Sequence, residues 1–315
     1  MKFDAVHSID DALESTLEAF RSGDFSRAEA QAEAALALDF EHAGVQSALK
    51  CAVFWKDRMA RAESLATSEL RGDFLLKEWL GFQNRFRAHL NEPFDPGVEA
   101  IRSSVFDQVA NAFLEQISFE DEGRRPDLLV KAAKTFKANG SFDRALECLD
   151  KVLQARPDDA AALAEMADCF EAVGDTQKSR LFFREAFYLN AQAVDVDNLR
   201  SATVREVAES LTAEGLSGSE LKEWIPVHAV IRGVFTVKRD LKPLELGQLK
   251  QGINALKSEL HDGSEHRNEV LPKLLNRYFW LIDHFFSVKE DRSKIEDILL
   301  NIKLLDERIY ELYTH

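Results

Sequence analysis

Apolar residues recur at spacings of three and four along most of the chain, the period of a helix buried on one face. The clearest stripe lies near the end: Ile295, Ile298, Leu299, Ile302, Leu305, Ile309 and Leu312. It predicts one final helix, starting near Asp291 or Ser293, either of which can cap it. Glu296, Asp297, Lys303, Glu307 and Glu311 would face outward, interrupted by Leu300 and Leu304. Residues 27–39 (RAEAQAEAALALD) lack β-branched side chains and consist mainly of strong helix formers. Residues 227–237 (VHAVIRGVFTV) suit a strand or a buried helix equally, because periodicity does not separate the two.

Between these segments, residues 43–118 hold a long amphipathic stretch rich in Phe and Trp: Phe54, Trp55, Phe74, Trp79, Phe82 and Phe86. A Pro/Gly break at 91–97 and a helix over 98–117 follow, then an acidic loop at 119–123. Helical segments are also expected at 204–211, around Trp224, and from Pro243 through Leu260.

Residues 126–159 and 160–193 align at a spacing of 34. Phe136 recurs as Phe170, Gly140 as Gly174, Leu149 as Phe183 and Val152 as Ala186. Each copy predicts an apolar helix, a glycine turn and a second apolar helix. Small residues (Ala133, Ala145, Ala167, Ser179) stand where two helices must approach closely, and Pro157 closes the first copy.

This pattern resembles the tetratricopeptide repeat family. The matching residues are Leu129, Ala132-Ala133, Phe136, Gly140-Ser141-Phe142, Ala145, Leu149, Val152 and Pro157. The second copy offers Leu163, Met166-Ala167, Phe170, Gly174-Asp175, Ser179, Phe183 and Ala186, and departs at Thr176 and Ala191. A third copy at 9–42 has Gly23-Asp24-Phe25 as its turn, with Ala28 and Ala35. A degenerate fourth, at 276–309, has Phe279, Ile282, Phe286, Ile295, Leu299 and Ile302, with Asp283 in a small-residue slot and a Glu290-Asp291 turn. An unrelated helical hairpin is the alternative there.

The resemblance implies an all-α, right-handed superhelical solenoid of about five to seven helical hairpins, some degenerate, capped by the last helix. The expected organisation is an N-terminal unit at 1–42, divergent aromatic-rich hairpins at 43–125, the tandem pair at 126–193 and a C-terminal helical region at 194–315.

The resemblance also implies a concave face lined by first helices. Its slots are Asp127, Val130, Lys134 and Lys137, then Ala161, Ala164, Asp168 and Glu171. Asp10, Leu13, Leu17 and Phe20 fill them in the N-terminal copy, and Arg277, Trp280 and His284 in the C-terminal one. Some members of the family hold a peptide's terminal carboxylate with Lys, Asn and Arg at such slots. Val130, Ala164 and the wrongly signed Asp168 argue against that set here. Trp280 with Arg277 is the stronger contact candidate, since both types are enriched at hot spots; a buried core Trp is the alternative.

Charge narrows the partner. The net charge is −15, and nearly all of the excess lies in residues 1–199, where 36 acidic residues stand against 23 basic. A phosphate backbone is a poor partner for such a surface, whereas a basic protein or peptide suits it. The first 15 residues contain no apolar core for a secretion signal, and the most apolar late stretch, 278–288, falls far short of the ~20 residues of a membrane span. A cytoplasmic location is expected, with no membrane or nucleic-acid partner.

Candidate chemistry is sparse. No phosphate-binding or dinucleotide-binding glycine motif occurs. Cys51, Cys148 and Cys169 form no C-x-x-C and are expected to be buried thiols. The loop between His261 and His266 does not follow a metal-ligand spacing. Arg71-Gly72-Asp73 repeats the glycine-turn pattern and is expected to be a turn. The expected function is therefore non-catalytic and free of cofactor or metal: a scaffold or adaptor that binds a protein or peptide. The alternatives are a self-assembling subunit using the last helix, and a peptide-responsive regulator acting through a protein target.

Overall fold

The computed structural model describes residues 8–90, 94–118, 125–237, 240–262 and 267–315. Their helices, in chain order, are α1 (Ile9–Ser22), α2 (Phe25–Leu38), α3 (Ala43–Glu63), α4 (Ser68–Gly81), α5 (Asp95–Ser118), α6 (Pro126–Ala138), α7 (Phe142–Ala155), α8 (Ala160–Ala172), α9 (Thr176–Asn190), α10 (Ala202–Ala213), α11 (Gly218–Ile231), α12 (Pro243–His261), α13 (Arg267–Ser287), α14 (Arg292–Leu305) and α15 (Glu307–Thr314). No strand occurs among the described residues, and the chain is an all-α array of helical hairpins. The expected acidic loop at 119–123, residues 91–93 of the Pro/Gly break, His266 and the first seven residues lie outside the described residues.

Three hairpins share one turn. Gly23, Gly140 and Gly174 have φ of 73°, 81° and 86°, where an L side chain would be strained. The N–H of the next residue returns to the preceding helix: Asp24 to Ala19 O, Ser141 to Phe136 O and Asp175 to Phe170 O, each at 2.9 Å. This is the Schellman closure. The next helix starts immediately, with Asp24 and Asp175 accepting from the N–H of Arg27 at 2.9 Å and Lys178 at 3.1 Å. Ala28, Ala145 and Ser179 are buried where the partner helix crosses. The expected helix–turn–helix copies at 9–42, 126–159 and 160–193 are thus present in the fold.

The chain divides into two compact units, residues 1–151 and 152–315. In the first, α5 is 24 residues long and packs against α1, α4 and α6. Its buried stripe is Ile101, Val105, Val109 and Phe113. Trp55 of α3 is fully buried, with its ring centroid 6.2 Å from Phe25, 6.0 Å from Trp79 and 5.5 Å from Phe82.

The turn expected at Arg71-Gly72-Asp73 is instead the interior of α4. Gly72 is needed there for closeness, because a Cβ would fall 2.7 Å from Phe113 Cε1 of α5. The local tripeptide resembled a turn; the requirement for glycine came from a helix forty residues away.

The second unit holds two apolar clusters. One gathers Leu163, Phe183, Phe187, Val207, Leu211 and Ile225. The other gathers Val227, Leu249, Leu274, Phe279, Ile282, Ile298 and Ile302. Helix α11 contributes to both, through Ile225 and Ala229 on one side and Val227 on the other. That double burial explains the unbroken apolar run beginning at Val227: it is helical to Ile231, and a helix buried on two faces loses its polar stripe.

Two C-terminal expectations change. The single final helix is broken at Asp306, which is extended (φ −154°, ψ 103°) and caps α15 by accepting from Ile309 N–H at 3.0 Å. An aspartate able to cap a new helix competes with continuing the old one. Ile295, Ile298, Ile302 and Ile309 remain buried, whereas Leu312 is exposed. In the degenerate hairpin, the turn passes through Lys289 at φ 53°, and Phe286, expected in an apolar slot, is 56% exposed.

Candidate functional site

In the first unit, Asp127 is exposed and paired with Arg125 at 3.0 Å. The Arg125 guanidinium, hydrogen-bonded to it, holds its carboxyl below the ordinary range. Val130 and Lys134 are half-buried and Lys137 is buried. In the N-terminal copy Asp10 is exposed, Leu13 and Leu17 are half-buried and Phe20 is buried.

In the second unit, Asp168 is 1% exposed. Its carboxylate accepts from Arg200 N–H at 2.9 and 3.0 Å and from Ser201 N–H at 2.7 Å. Glu171 accepts from Ser201 Oγ at 2.6 Å, Ser179 Oγ at 3.3 Å and Thr203 Oγ1 at 3.3 Å. Both acids hold the approach to α10 against α8. Ala164 beside them is buried and Ala161 half-buried.

The C-terminal trio separates by depth. Trp280 is 2% exposed, with Tyr188 at 4.6 Å between centroids and the Arg184 guanidinium 4.7 Å above its ring. Arg184, itself buried, pairs with Asp283 and donates to Val237 O at 2.6 Å. Asp283 stands in a small-residue slot because it neutralises this arginine, 99 positions earlier. His284 is buried, its Nδ1 accepting from Leu241 N–H at 3.3 Å. Arg277 lines a cavity of about 240 Å³ together with Glu223, Lys273 and Asn276. Burial raises the Glu223 carboxyl above its ordinary value, opposed by Gln192 and Lys273.

A larger opening lies in the first unit and was visible in the sequence only as an aromatic-rich segment. Helix α4 does not end at Gly81 but continues as a π-turn, Phe82–Phe86, followed by a 3₁₀ turn, Arg87–His89. The Arg87 N–H reaches back to Phe82 O. The wider turn inserts one residue into the helical register, a feature that recurs at functional sites. Phe86 thereby stacks on Phe82 at 5.4 Å and meets Phe54 of α3 at 4.5 Å.

Phe54 and Phe86 floor a cavity of about 510 Å³ whose rim carries Arg58, Lys77, Glu78, Leu80, Arg85 and His89. A second depression, about 580 Å³, shares Phe54, Arg58 and Phe86 and adds Leu49, Val53 and Asp57. Leu80 and Val53 are 58% and 47% exposed. Arg58 lies 3.6 Å over the Phe54 ring and bonds Glu78 at 3.2 Å and Asp57 at 3.2 Å. Lys77 and Arg85 are exposed and make no ion pair or hydrogen bond among the described residues.

The surface offers apolar area and positive charge. Burial pushes the Cys51 thiol up to about 12 and Cys148 to about 11, so both stay protonated near neutrality. No group of three or more His, Cys, Asp or Glu placed to hold a metal ion occurs among the described residues. No described helix is long and apolar enough to cross a membrane.

A comparison with curated proteins found no match. A family model for the tetratricopeptide repeat matches residues 126–169, which span α6, α7 and most of α8. Repeats of this family are in general protein-interaction modules. Residues 126–169 thus carry a tetratricopeptide repeat.

Proposed function

We propose that the protein is a non-catalytic adaptor of the cytoplasm that docks a segment of another protein on its first unit. The observation that carries this reading is the open aromatic pocket at the end of α4, where Leu80 and Val53 remain exposed beside Phe54 and Phe86. Apolar side chains gathered at a concavity are what a binding partner can desolvate. The net charge of −15 supports a partner with basic regions facing the remaining surface.

Capture from native lysate with a Val53→Asp/Leu80→Asp variant beside the parent tests the reading. A partner held by the parent and lost by the variant, with helicity and melting retained, supports it. A partner held equally by both moves docking away from the pocket. Lys137 and Trp280 are poor probes of a surface, because both are buried.

Self-assembly is supported by a separate feature. Leu300 and Leu304, one turn apart on α14, are 56% and 78% exposed, and Leu312 of α15 is 44% exposed. Sedimentation over a concentration series tests this, with Leu300→Gln/Leu304→Gln as the variant. A mass independent of concentration sinks it.

A further inference from the structure

We propose that the α4 pocket takes an acidic internal segment of a partner protein, anchored by one aromatic or large aliphatic side chain. This rests on the docking role proposed above and specifies the chemistry of the docked segment.

Residues 77–89 carry Lys77, Arg85 and Arg87 against the single acid Glu78, inside a chain of net charge −15. Arg87 is paired with Asp95, and Arg58 is committed to Glu78 and Asp57. Lys77 and Arg85 have no such partner among the described residues. They flank an apolar floor, so an anchor on Phe54 and Phe86 brings the residues beside it within reach of two unspent cations. Screening makes this local sign decisive: the Debye length is about 8 Å at physiological salt, so the remote acidic surface contributes little at the pocket.

The same features weigh against other anionic partners. A membrane surface is recognised by clusters of roughly four to eight basic residues, and the pocket has Lys77 and Arg85 without a partner among the described residues, set around a concavity. Nucleic acid requires a row of phosphate contacts, which two cations on an acidic chain do not supply.

The test uses the full chain and four fluorescein-labelled peptides, blocked by acetyl and amide groups so that no terminal charge takes part. One has a central Phe with Asp and Glu on both sides. The second replaces that Phe with Ser. The third keeps Phe with Ser and Gly flanks, and the fourth keeps Phe with Lys flanks. Fluorescence anisotropy is expected to show the acidic Phe peptide binding at least about tenfold more tightly than the other three. Its affinity should fall as salt rises. Lys77→Glu/Arg85→Glu should weaken it by about tenfold or more, and Leu80→Ser should weaken it independently. All three positions are solvent-exposed, and circular dichroism verifies the fold of each variant.

Equal binding of the neutral or Lys-flanked Phe peptide overturns the charge assignment while leaving docking at the pocket intact. Binding of the acidic Phe peptide undiminished by both variants overturns the location. Binding to vesicles of phosphatidylserine and phosphatidylcholine, without peptide binding, overturns the proposal in favour of a lipid surface. If no peptide binds while lysate partners still depend on Val53 and Leu80, the acidic-segment inference fails and the adaptor reading survives.

Discussion

Gly72 of α4 presses its Cα face against the ring of Phe113 of α5, so that an added Cβ would sit 2.7 Å from Cε1 and 2.9 Å from Cζ. Phe113 is fully buried, so its ring would have to shift within the interior to admit the added carbon. Two effects compete in Gly72→Ala. Helix propensity favours alanine by about 1 kcal/mol, and overpacking costs about 1–3 kcal/mol. The expected result is a net loss of about 1 kcal/mol, read from urea unfolding. Gly247, inside α12 with nothing within 4 Å of its would-be Cβ, is the contrast: Gly247→Ala should stabilise by about 0.5–1 kcal/mol.

The buried pair Arg184–Asp283 should behave asymmetrically. Asp283→Leu leaves a 2% exposed guanidinium without its counter-charge, and a loss of about 3–5 kcal/mol is expected. Adding Arg184→Met removes the stranded charge and should recover much of that loss. A double-mutant cycle by chemical denaturation checks this, and strict additivity would contradict the account.

Asp168 faces two backbone N–H groups rather than solvent. Asp168→Ala leaves those donors unsatisfied next to α8, and stability should fall by about 1.5–3 kcal/mol. Isothermal titration with any captured partner separates the roles. A variant with unchanged melting but lost binding would return Asp168 to the groove.

His228 gives a signed pH dependence. Burial of the imidazole, which lies edge-on to Trp224 at 5.8 Å, holds its pKa below the ordinary value, with smaller opposing and supporting contributions from Glu214 and Arg232. The unfolded chain therefore takes up the proton first as pH falls. The contribution is fully present above about pH 6.5 and is lost as pH falls through the folded value. The urea midpoint should drop between about pH 7.5 and 5.5, and His228→Gln should flatten that slope.

What the sequence disclosed follows from how local each cause is. The Gly23, Gly140 and Gly174 turns depend on a backbone φ and a cap within a few residues, and short motifs record such needs faithfully. Trp280 was ambiguous for the opposite reason. Whether a tryptophan is a surface anchor or a core residue depends on what packs over it, here Tyr188 and Arg184 from another helix. Asp283 was visible as a misfit in its slot, but its partner is 99 positions distant. The pocket was legible only as composition. The aromatic residues of 43–118 stood out, yet which of them face solvent depends on the register change at Phe82–Phe86.

That register change ties the pocket to the length of one short segment. A π-turn is an α-helix carrying one additional residue, and each residue in a helix turns the chain by about 100°. Losing a single codon between Phe82 and Phe86, such as that of Gln83, would let α4 run on in ordinary register. The Arg87 N–H would still reach Phe82 O, now as an ordinary i→i+4 bond, so Arg85 and Phe86 would keep about the side of the helix they now occupy. A three-nucleotide deletion would thus isolate what the widened turn itself contributes to the opening, because every aromatic and cation that builds it is spared.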